Sequence, residues 1–294
     1  MTTLKSRRSI GIITIATGEY YAQFIPKLRD SIARYWNFDA AEIQFYCFTD
    51  TLVKRPDIIS LPILHLGWPF ATLLRFHWIK EQLAQLLHHD FLLYMDADME
   101  VVKPIPFSVF SDSLIAVRHP GFVDTPGAFE IDRQEKTYVP PPLRKTYYQG
   151  CFWGGSSSEF AKLINTLAKC VEEDLALARI PIWHDESYLN WYFSRHSCVP
   201  LSPLYAWPQS ETLVGEKPFI LHLEKRHNRI RQIEAQELTL PSILRGLSIQ
   251  EQADFYKNLY LQAHEKCQRL EQKMSARFSC LARFREWLAY FKNR

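Results

Sequence analysis

Short apolar runs alternate with amphipathic segments along the first hundred residues. Residues 9–17 and 43–49 are β-branched or aromatic runs that end in polar turn residues, as buried strands do. Between them, Phe24, Leu28 and Ile32 recur at helical spacing. The pattern predicts a strand–helix–strand unit, which implies a parallel sheet.

A second helical pattern, over residues 72–87, precedes a wholly apolar run at residues 91–95 that leads directly into Asp96 and Asp98. Ligands of open α/β sheets bind beyond the carboxyl ends of the strands, so we expect these carboxylates to face a cleft. On an extended backbone both point the same way and can bind one hard divalent cation. The alternative is an ordinary solvated acidic turn.

The middle of the chain is rich in turn residues. Residues 115–155 place glycines and prolines between short predicted strands, and a long helix is predicted over residues 158–177. After about Arg231 the composition becomes helical, polar and finally basic. We therefore place a boundary there.

Bulk composition narrows the class of protein. The 294 residues are 47% hydrophobic, enough for one large α/β core, and no apolar run reaches the roughly 18 residues of a membrane-spanning helix. The basic and then apolar residues 5–16 imitate a signal peptide, but a first buried strand explains them better. Six scattered cysteines without a CxxC pair favour a reducing, cytoplasmic setting.

The segment WHDESYLN, residues 183–190, opens a predicted helix with two acidic residues. Asp185 and Glu186 would lie near the positive end of that helix, where ionised carboxylates are favoured. Catalytic carboxylates and simple capping residues are both consistent with this position, and Trp183 could belong to the core.

Three further segments are candidates for ligand contacts. HPGF at residues 119–122 and QGCFWGGS at residues 149–156 combine aromatic with small residues, which suits a sugar pocket but also two tight turns. EKRHNRIR at residues 224–231 offers donors for diphosphate oxygens, or a solvated basic turn. The sequence contains no GxGxxG, GxxxxGK, GxSxG or HExxH motif, so P-loop, hydrolase and zincin functions lack support.

Six motifs together resemble glycosyltransferase family six, the family of the histo-blood-group A and B transferases. They are IATGEYY, YMDADM, HPGF, YYQGCFWGGS, WHDESYLN and LSPLYAW, and they follow the family order between Ile10 and Arg231. The resemblance implies an α/β fold of the GT-A type, Rossmann-like, with a mostly parallel sheet flanked by helices. It implies a catalytic domain over residues 1–232, with a donor-binding half at about 9–100 and an acceptor-binding half at about 101–232.

The resemblance also implies a role for each matched position. The donor-binding positions are Ile15, Ala16, Thr17, Tyr20, Arg75, Asp96, Ala97, Asp98, Gln149, Gly150, Cys151, Asp185, Lys225 and Arg231. Asp96 and Asp98 match a Mn²⁺ site that another divalent cation could also fill. His119, Trp183 and Glu186 match the acceptor side, and Glu186 is also the catalytic carboxylate, as nucleophile or as stabiliser of an oxocarbenium-like transition state.

The implied activity is that of a retaining hexosyltransferase. It would move galactose or N-acetylgalactosamine from a UDP-sugar to a galactose-containing oligosaccharide or lipid-linked glycan, forming an α1,3 linkage. Double displacement and front-side attack both remain open, and we expect no nucleic-acid partner. Cys151 replaces a glycine or alanine of the animal enzymes, and Pro208 stands where they carry an acidic acceptor contact. A noncatalytic carbohydrate-binding protein on the same fold is the alternative.

Residues 233–294 match nothing in the animal family. Apolar residues between Cys267 and Phe291 follow a three-four spacing, and residues 264–294 carry eight Lys or Arg against three Glu. The pattern predicts a basic amphipathic helical extension. Its apolar side would pack on the catalytic domain, pair with a second copy, or lie on an anionic membrane, which would place the enzyme peripherally at the inner membrane surface.

Overall fold

The computed structural model describes residues 8–36, 41–63, 65, 70–110, 112–177, 179–213 and 215–225. The described helices are α1 (Glu19–Tyr35), α2 (Phe70–Leu73), α3 (Arg75–Glu81), α4 (Leu83–Leu86), α5 (Ser157–Ala176) and α6 (Asp185–Phe193). The predicted boundary near Arg231 and the predicted extension at 233–294 lie outside these residues.

Ten strands lie within the described residues and form two sheets. They are β1 (Arg8–Ile15), β2 (Ala41–Thr49), β3 (Ile59–Pro62), β4 (Phe91–Met95), β5 (Met99–Val101), β6 (Leu114–Arg118), β7 (Tyr148–Ser156), β8 (Cys198–Leu201), β9 (Trp207–Pro208) and β10 (Ile220–His222). The large sheet has the order β3-β2-β1-β4-β7-β6-β8 and the small one the order β5-β10-β9.

The large sheet is mostly parallel, as predicted, with one exception. Strand β7 runs antiparallel to both of its neighbours, β4 and β6, whereas the pairs β1–β2, β1–β4, β2–β3 and β6–β8 are parallel. This mixed, helix-flanked sheet is a GT-A type fold. The reversed strand brings its first residues to the edge of the sheet where β4 ends.

Alternate residues of the central strands enter two separate cores. Ile13, Leu92 and Tyr94 pack on one face beneath α5, while Ile12 and Leu93 pack on the other beneath α1. Because both faces are covered, the strands are apolar almost throughout, which is why they are recognisable in the sequence.

One continuous helix was predicted over residues 72–87, and this prediction was wrong. The segment forms α2, α3 and α4 instead, separated at Leu74 and Gln82, whose ψ angles are both 4°. The amide of Gln82 donates to the carbonyl of Ile79, three residues back, so a tighter turn replaces α-helical bonding there. The break leaves Arg75 as the first residue of its own short helix.

Candidate active site

The site is built where two strands end side by side. Strand β4 ends at Met95, which pairs with Phe152 of the antiparallel β7. Past that pair, the amide of Asp96 donates to the Cys151 carbonyl at 2.8 Å. The carbonyl of Asp98 accepts from the Leu223 amide at 2.8 Å, which joins the same segment to the end of the small sheet.

Arg75 is the centre of one group of polar and charged side chains, which we call the Arg75 cluster (Arg75, Tyr94, Asp96 and Asp185). The arginine is only 4% exposed. Its Nη1 lies 3.0 Å from Asp185 Oδ2 and donates to the Gly150 carbonyl at 2.9 Å, and its Nη2 lies 3.4 Å from Asp96 Oδ1. The guanidinium also stacks over the Tyr94 ring, whose hydroxyl donates to Asp96 at 2.9 Å.

Arg75 offsets part of the negative charge of the two carboxylates in this cluster. Burial raises the pKa of Asp185 to about 6, against the opposing effect of Arg75, so Asp185 is ionised at neutral pH. Burial alone would lower the pKa of Arg75, but the neighbouring carboxylates raise it above its usual value. The result is a buried ion pair held in fixed geometry by a backbone carbonyl and an aromatic ring.

Glu186 has a separate set of partners. Its Oε1 accepts from the Tyr147 hydroxyl and its Oε2 from the Gly150 amide, both at 2.8 Å. Burial raises the pKa of Glu186 to about 7, although both hydrogen bonds act in the opposite direction. The carboxylate is therefore fixed in position and close to half-ionised at neutral pH.

A strained turn separates the roles of Asp185 and Glu186. His184, immediately before α6, has a φ of 50°, a left-handed value that no other described residue except glycine adopts. The Trp183 amide donates to Ser187 Oγ at 3.0 Å across the same turn. Two consecutive carboxylates thereby enter the site and reach different partners.

A second group of polar and charged side chains, which we call the Asp98 cluster, contains Asp98, Gln149, His222 and Lys225. Asp98 is 1% exposed, and its Oδ2 lies 2.7 Å from Lys225 Nζ and 3.4 Å from His222 Nε2. The other ring nitrogen of His222 lies 3.1 Å from Gln149 Nε2. Burial alone would raise the pKa of Asp98, but His222 and Lys225 hold it well below its usual range.

Asp96, Asp98 and His222 fit a metal ion. One ligand atom from each of the three lies within 4.8 Å of the others. Two carboxylates and one imidazole form a donor set that suits first-row divalent cations. The first two residues were predicted from the sequence, and His222 was not.

The predicted donor-binding positions that follow β1 in the chain lie beside the Asp98 cluster. Ile15 ends β1, the Ala16 amide donates to the Phe48 carbonyl at 2.9 Å, and the Thr17 hydroxyl lies 2.9 Å from His65 Nδ1. Tyr20 is close enough for its pKa to be raised, first by burial and then by Asp98. His65 is an additional neighbour of this segment that the sequence did not indicate.

Of the predicted acceptor-side residues, His119 approaches Glu186 through Tyr147, and the Trp183 carbonyl accepts from the Glu186 amide at 3.0 Å. The His119 ring lies 5.9 Å from the Tyr147 ring, and its Nδ1 accepts from the Gly121 amide at 3.1 Å. Burial lowers the pKa of His119 to about 4, so its imidazole is neutral at pH 7. Trp183 is partly exposed, and its indole N–H has no hydrogen-bond partner in the described part of the chain.

Two of the predicted donor positions contribute through packing. Ala97 is 2% and Cys151 1% exposed, and both belong to the core beneath α1. The predicted donor position Arg231 lies outside the described residues, as does His227 of the basic segment 224–231. Sequence reasoning also missed Tyr94, Tyr147 and Asn190; the last clamps the start of β7 through two 2.8 Å hydrogen bonds to the Tyr148 backbone.

Two further observations concern the state of the cysteines and the hydropathy of the helices. The cysteines of the described segments, Cys47, Cys151, Cys170 and Cys198, are all free thiols. None of the described helices combines the length and the hydropathy needed to cross a membrane.

A GT-A type sheet with two aspartates at a strand end and two further carboxylates facing them defines a glycosyltransferase site. Residues 3–232 match the profile of Glycosyltransferase family 6, and the chain belongs to this family.

Curated relatives agree with this assignment. The chain is 32% identical over 208 residues to the O-antigen biosynthesis glycosyltransferase WbnI of Escherichia coli, covering 68% of this chain and 88% of the relative. It is 29% identical over 210 residues to histo-blood group ABO system transferase 2 of Rattus norvegicus, covering 65% of this chain and 62% of the relative. Histo-blood group ABO system transferase 1 of the same organism is 30% identical over 210 residues, covering 65% and 60%.

Proposed function

We propose that this glycosyltransferase transfers galactose or N-acetylgalactosamine from a UDP-sugar to a galactose-containing glycan, with retention of configuration and an α1,3 linkage. The names of the relatives support a glycan acceptor, since one refers to O-antigen biosynthesis and two to the ABO blood-group system. The acceptor would be an oligosaccharide or a lipid-linked glycan.

The observation that carries the proposal is the position of Glu186. Its carboxylate is fixed by Tyr147 and Gly150, and it lies next to Asp185 on the same helix turn. A carboxylate held in this way can stabilise positive charge that develops at an anomeric carbon, or attack that carbon directly. We assign the catalytic role to Glu186 on this basis.

Asp185 and Arg75 would position the sugar being transferred. Their ion pair fixes one Asp185 oxygen at 3.0 Å from the guanidinium, and Gly150 leaves room beside it. A Cβ atom on Gly150 would come within 3.1 Å of the same oxygen. This close approach supports a glycine here, and it supports a donor pocket formed jointly by β7 and α6.

The diphosphate end of the donor would lie at the Asp98 cluster. Asp96 and Asp98 would hold Mn²⁺ there, and a bound divalent cation stabilises negative charge on a departing diphosphate. Lys225 and Arg231 would add positive charge beside it, and Tyr20 with residues 15–17 would contact the nucleoside. His119 and Trp183 would contact the acceptor from the Tyr147 side.

The test is UDP release from a panel of UDP-sugars, with and without Mn²⁺, using galactosyl and fucosylated galactosyl acceptors. We expect Mn²⁺-dependent release with UDP-galactose or UDP-N-acetylgalactosamine and an α-linked product by NMR. Release from neither donor, together with demonstrable binding of saccharides, would instead favour a noncatalytic carbohydrate-binding protein. Equal release in EDTA would contradict the metal requirement alone.

A further inference from the structure

His222 is the residue of the site that the proposed reaction leaves without a role. It ends β10 of the small sheet, and its Nε2 is buried 3.4 Å from Asp98 Oδ2. That nitrogen makes no well-aligned hydrogen bond to any described residue. A buried ring nitrogen that faces two carboxylates without such a bond is suited to binding a cation.

We propose that His222 is a third protein ligand of the divalent cation, and that Gln149 positions its ring. The inference rests on the metal-dependent part of the proposed function. Ligands about 2.1 Å from one octahedral cation lie about 3 Å apart when adjacent and about 4.2 Å apart when opposite. The 4.8 Å limit on the separations among Asp96, Asp98 and His222 is close to that range, so small side-chain movements bring all three onto one ion.

Gln149 provides the support that a ligating histidine needs. A histidine that binds metal through Nε2 carries its proton on Nδ1 and donates it to a neighbouring acceptor. The Gln149 amide lies 3.1 Å from His222 Nδ1, and its Oε1 is buried without a partner among the described residues. Rotating the amide by half a turn presents Oε1 to Nδ1–H, because the two amide atoms are close to the same size.

The choice of metal follows from the donor set. Mg²⁺ prefers an all-oxygen shell and retains much of its water, whereas Mn²⁺ and later first-row ions accept imidazole nitrogen more readily. With His222 as a ligand, the site favours Mn²⁺ over Mg²⁺. An aspartate in its place would restore an all-oxygen set.

The experiment measures Mn²⁺ binding to the purified full-length chain without any sugar nucleotide. Continuous-wave EPR quantifies the free Mn²⁺ and so the amount bound. Pulsed EPR detects ¹⁴N coupling from a directly bound imidazole. We expect ¹⁴N coupling in the wild type, its loss in His222→Gln, and at least about tenfold weaker Mn²⁺ binding in that variant. Gln149→Leu should weaken binding by a smaller factor and keep the coupling.

Two variants serve as controls. His196→Gln removes another partly buried histidine, one whose Nδ1 contacts the Tyr192 carbonyl away from the site, and should leave Mn²⁺ binding unchanged. His222→Asp should bind Mn²⁺ without ¹⁴N coupling and lower the preference for Mn²⁺ over Mg²⁺. If His222→Gln fails to fold, the ¹⁴N measurement on the wild type and the His222→Asp variant still test the inference.

The outcomes separate this inference from the proposed function. Mn²⁺ bound without ¹⁴N coupling, and with the same affinity in His222→Gln, would overturn the role of His222 while leaving metal-dependent transfer intact. No Mn²⁺ binding by the wild type would overturn the inference, and the EDTA arm of the UDP-release assay then decides whether sugar transfer occurs without metal. ¹⁴N coupling in a protein that transfers no sugar would support the ligand set and contradict the reaction.

Discussion

The Arg75 cluster and the Asp98 cluster lie on two sides of the same strand end, and they differ in the cation that neutralises them. In the first, a guanidinium that is 4% exposed is bound to a carboxylate, a backbone carbonyl and an aromatic ring. In the second, the ammonium of Lys225 meets Asp98, and its side chain is still 26% exposed.

This difference in burial indicates which of the two cations a metal ion can replace. A buried arginine with several fixed contacts cannot leave without stranding charged groups in the protein interior. The Lys225 side chain can move toward solvent, and a metal ion can then take its place beside Asp98. We infer that the Arg75–Asp185 pair is permanent support for the site and that Lys225 is the cation that a bound metal ion displaces.

The largest expected effect is a loss of stability when the Arg75 guanidinium is removed. Arg75→Met should lower the free energy of unfolding by about 3–5 kcal/mol, because it leaves the buried Asp185 without its partner. Urea denaturation followed by tryptophan fluorescence measures this. Arg55→Met, at an arginine whose carboxylate partners are more exposed, should cost under about 1 kcal/mol. Equal losses in the two variants would contradict the distinction.

Glu186→Gln should come next in size, and it should affect the reaction without affecting the fold. The amide keeps the shape of the side chain but loses the charge, so we expect transfer to fall by about two to three orders of magnitude while UDP-sugar binding changes little. Steady-state kinetics and calorimetry measure the two quantities. Glu172→Gln, whose carboxylate pairs with His77 outside the site, should leave both unchanged; wild-type turnover in Glu186→Gln would remove this residue from the mechanism.

The pH dependence should report the Glu186 carboxyl. Its pKa in the free enzyme is about 7 and the proposed catalytic role requires its ionised form, so kcat/KM should rise with pH through about 7. Tyr147→Phe removes a hydrogen bond that lowers this pKa, so the inflection should move up by about one pH unit. Tyr148→Phe, with a hydroxyl directed toward Cys198, should leave the profile in place. A downward shift in Tyr147→Phe would contradict the assignment.

The smallest effect should be a change in Mn²⁺ affinity when the Lys225 ammonium is removed. Lys225→Gln removes the cation that competes for Asp98, so Mn²⁺ should bind about two- to fivefold more tightly in the absence of donor. Lys27→Gln, which breaks an exposed pair with Glu100, should not alter Mn²⁺ binding. EPR titration measures both variants. Weaker Mn²⁺ binding in Lys225→Gln would show that the lysine assists the metal and does not compete with it.

The spacing of apolar residues along the chain was enough to predict many of the strands and helices. The strand at residues 91–95 has the bounds that its apolar run predicts, and α1 and α5 lie where helical spacing places them. Asp96 and Asp98 lie at the predicted edge because buried parallel strands end there together. These features depend on neighbours in sequence, so the sequence alone contains them.

The residues that contact the site carboxylates from distant segments of the chain could not be predicted in the same way. His222 reaches Asp98 only because β10 pairs with β5, and Tyr147 reaches Glu186 only because β7 runs antiparallel between β4 and β6. Sheet order and strand direction depend on contacts between distant segments, which no local periodicity encodes. A single histidine in a short apolar strand, as in the segment ILH, has no pattern that distinguishes a ligand from a core residue.

The reversed direction of β7 separates the part of the strand that holds the sheet together from the part that lines the site. Residues 152–156 are paired in register with β4, whereas residues 149–151 extend past the last pair, where the register against β6 also shifts. Gln149 can therefore change without breaking the ladder that holds the sheet together. A substitution at Gln149 would change the surroundings of His222, while the paired part of the same strand stays as it is.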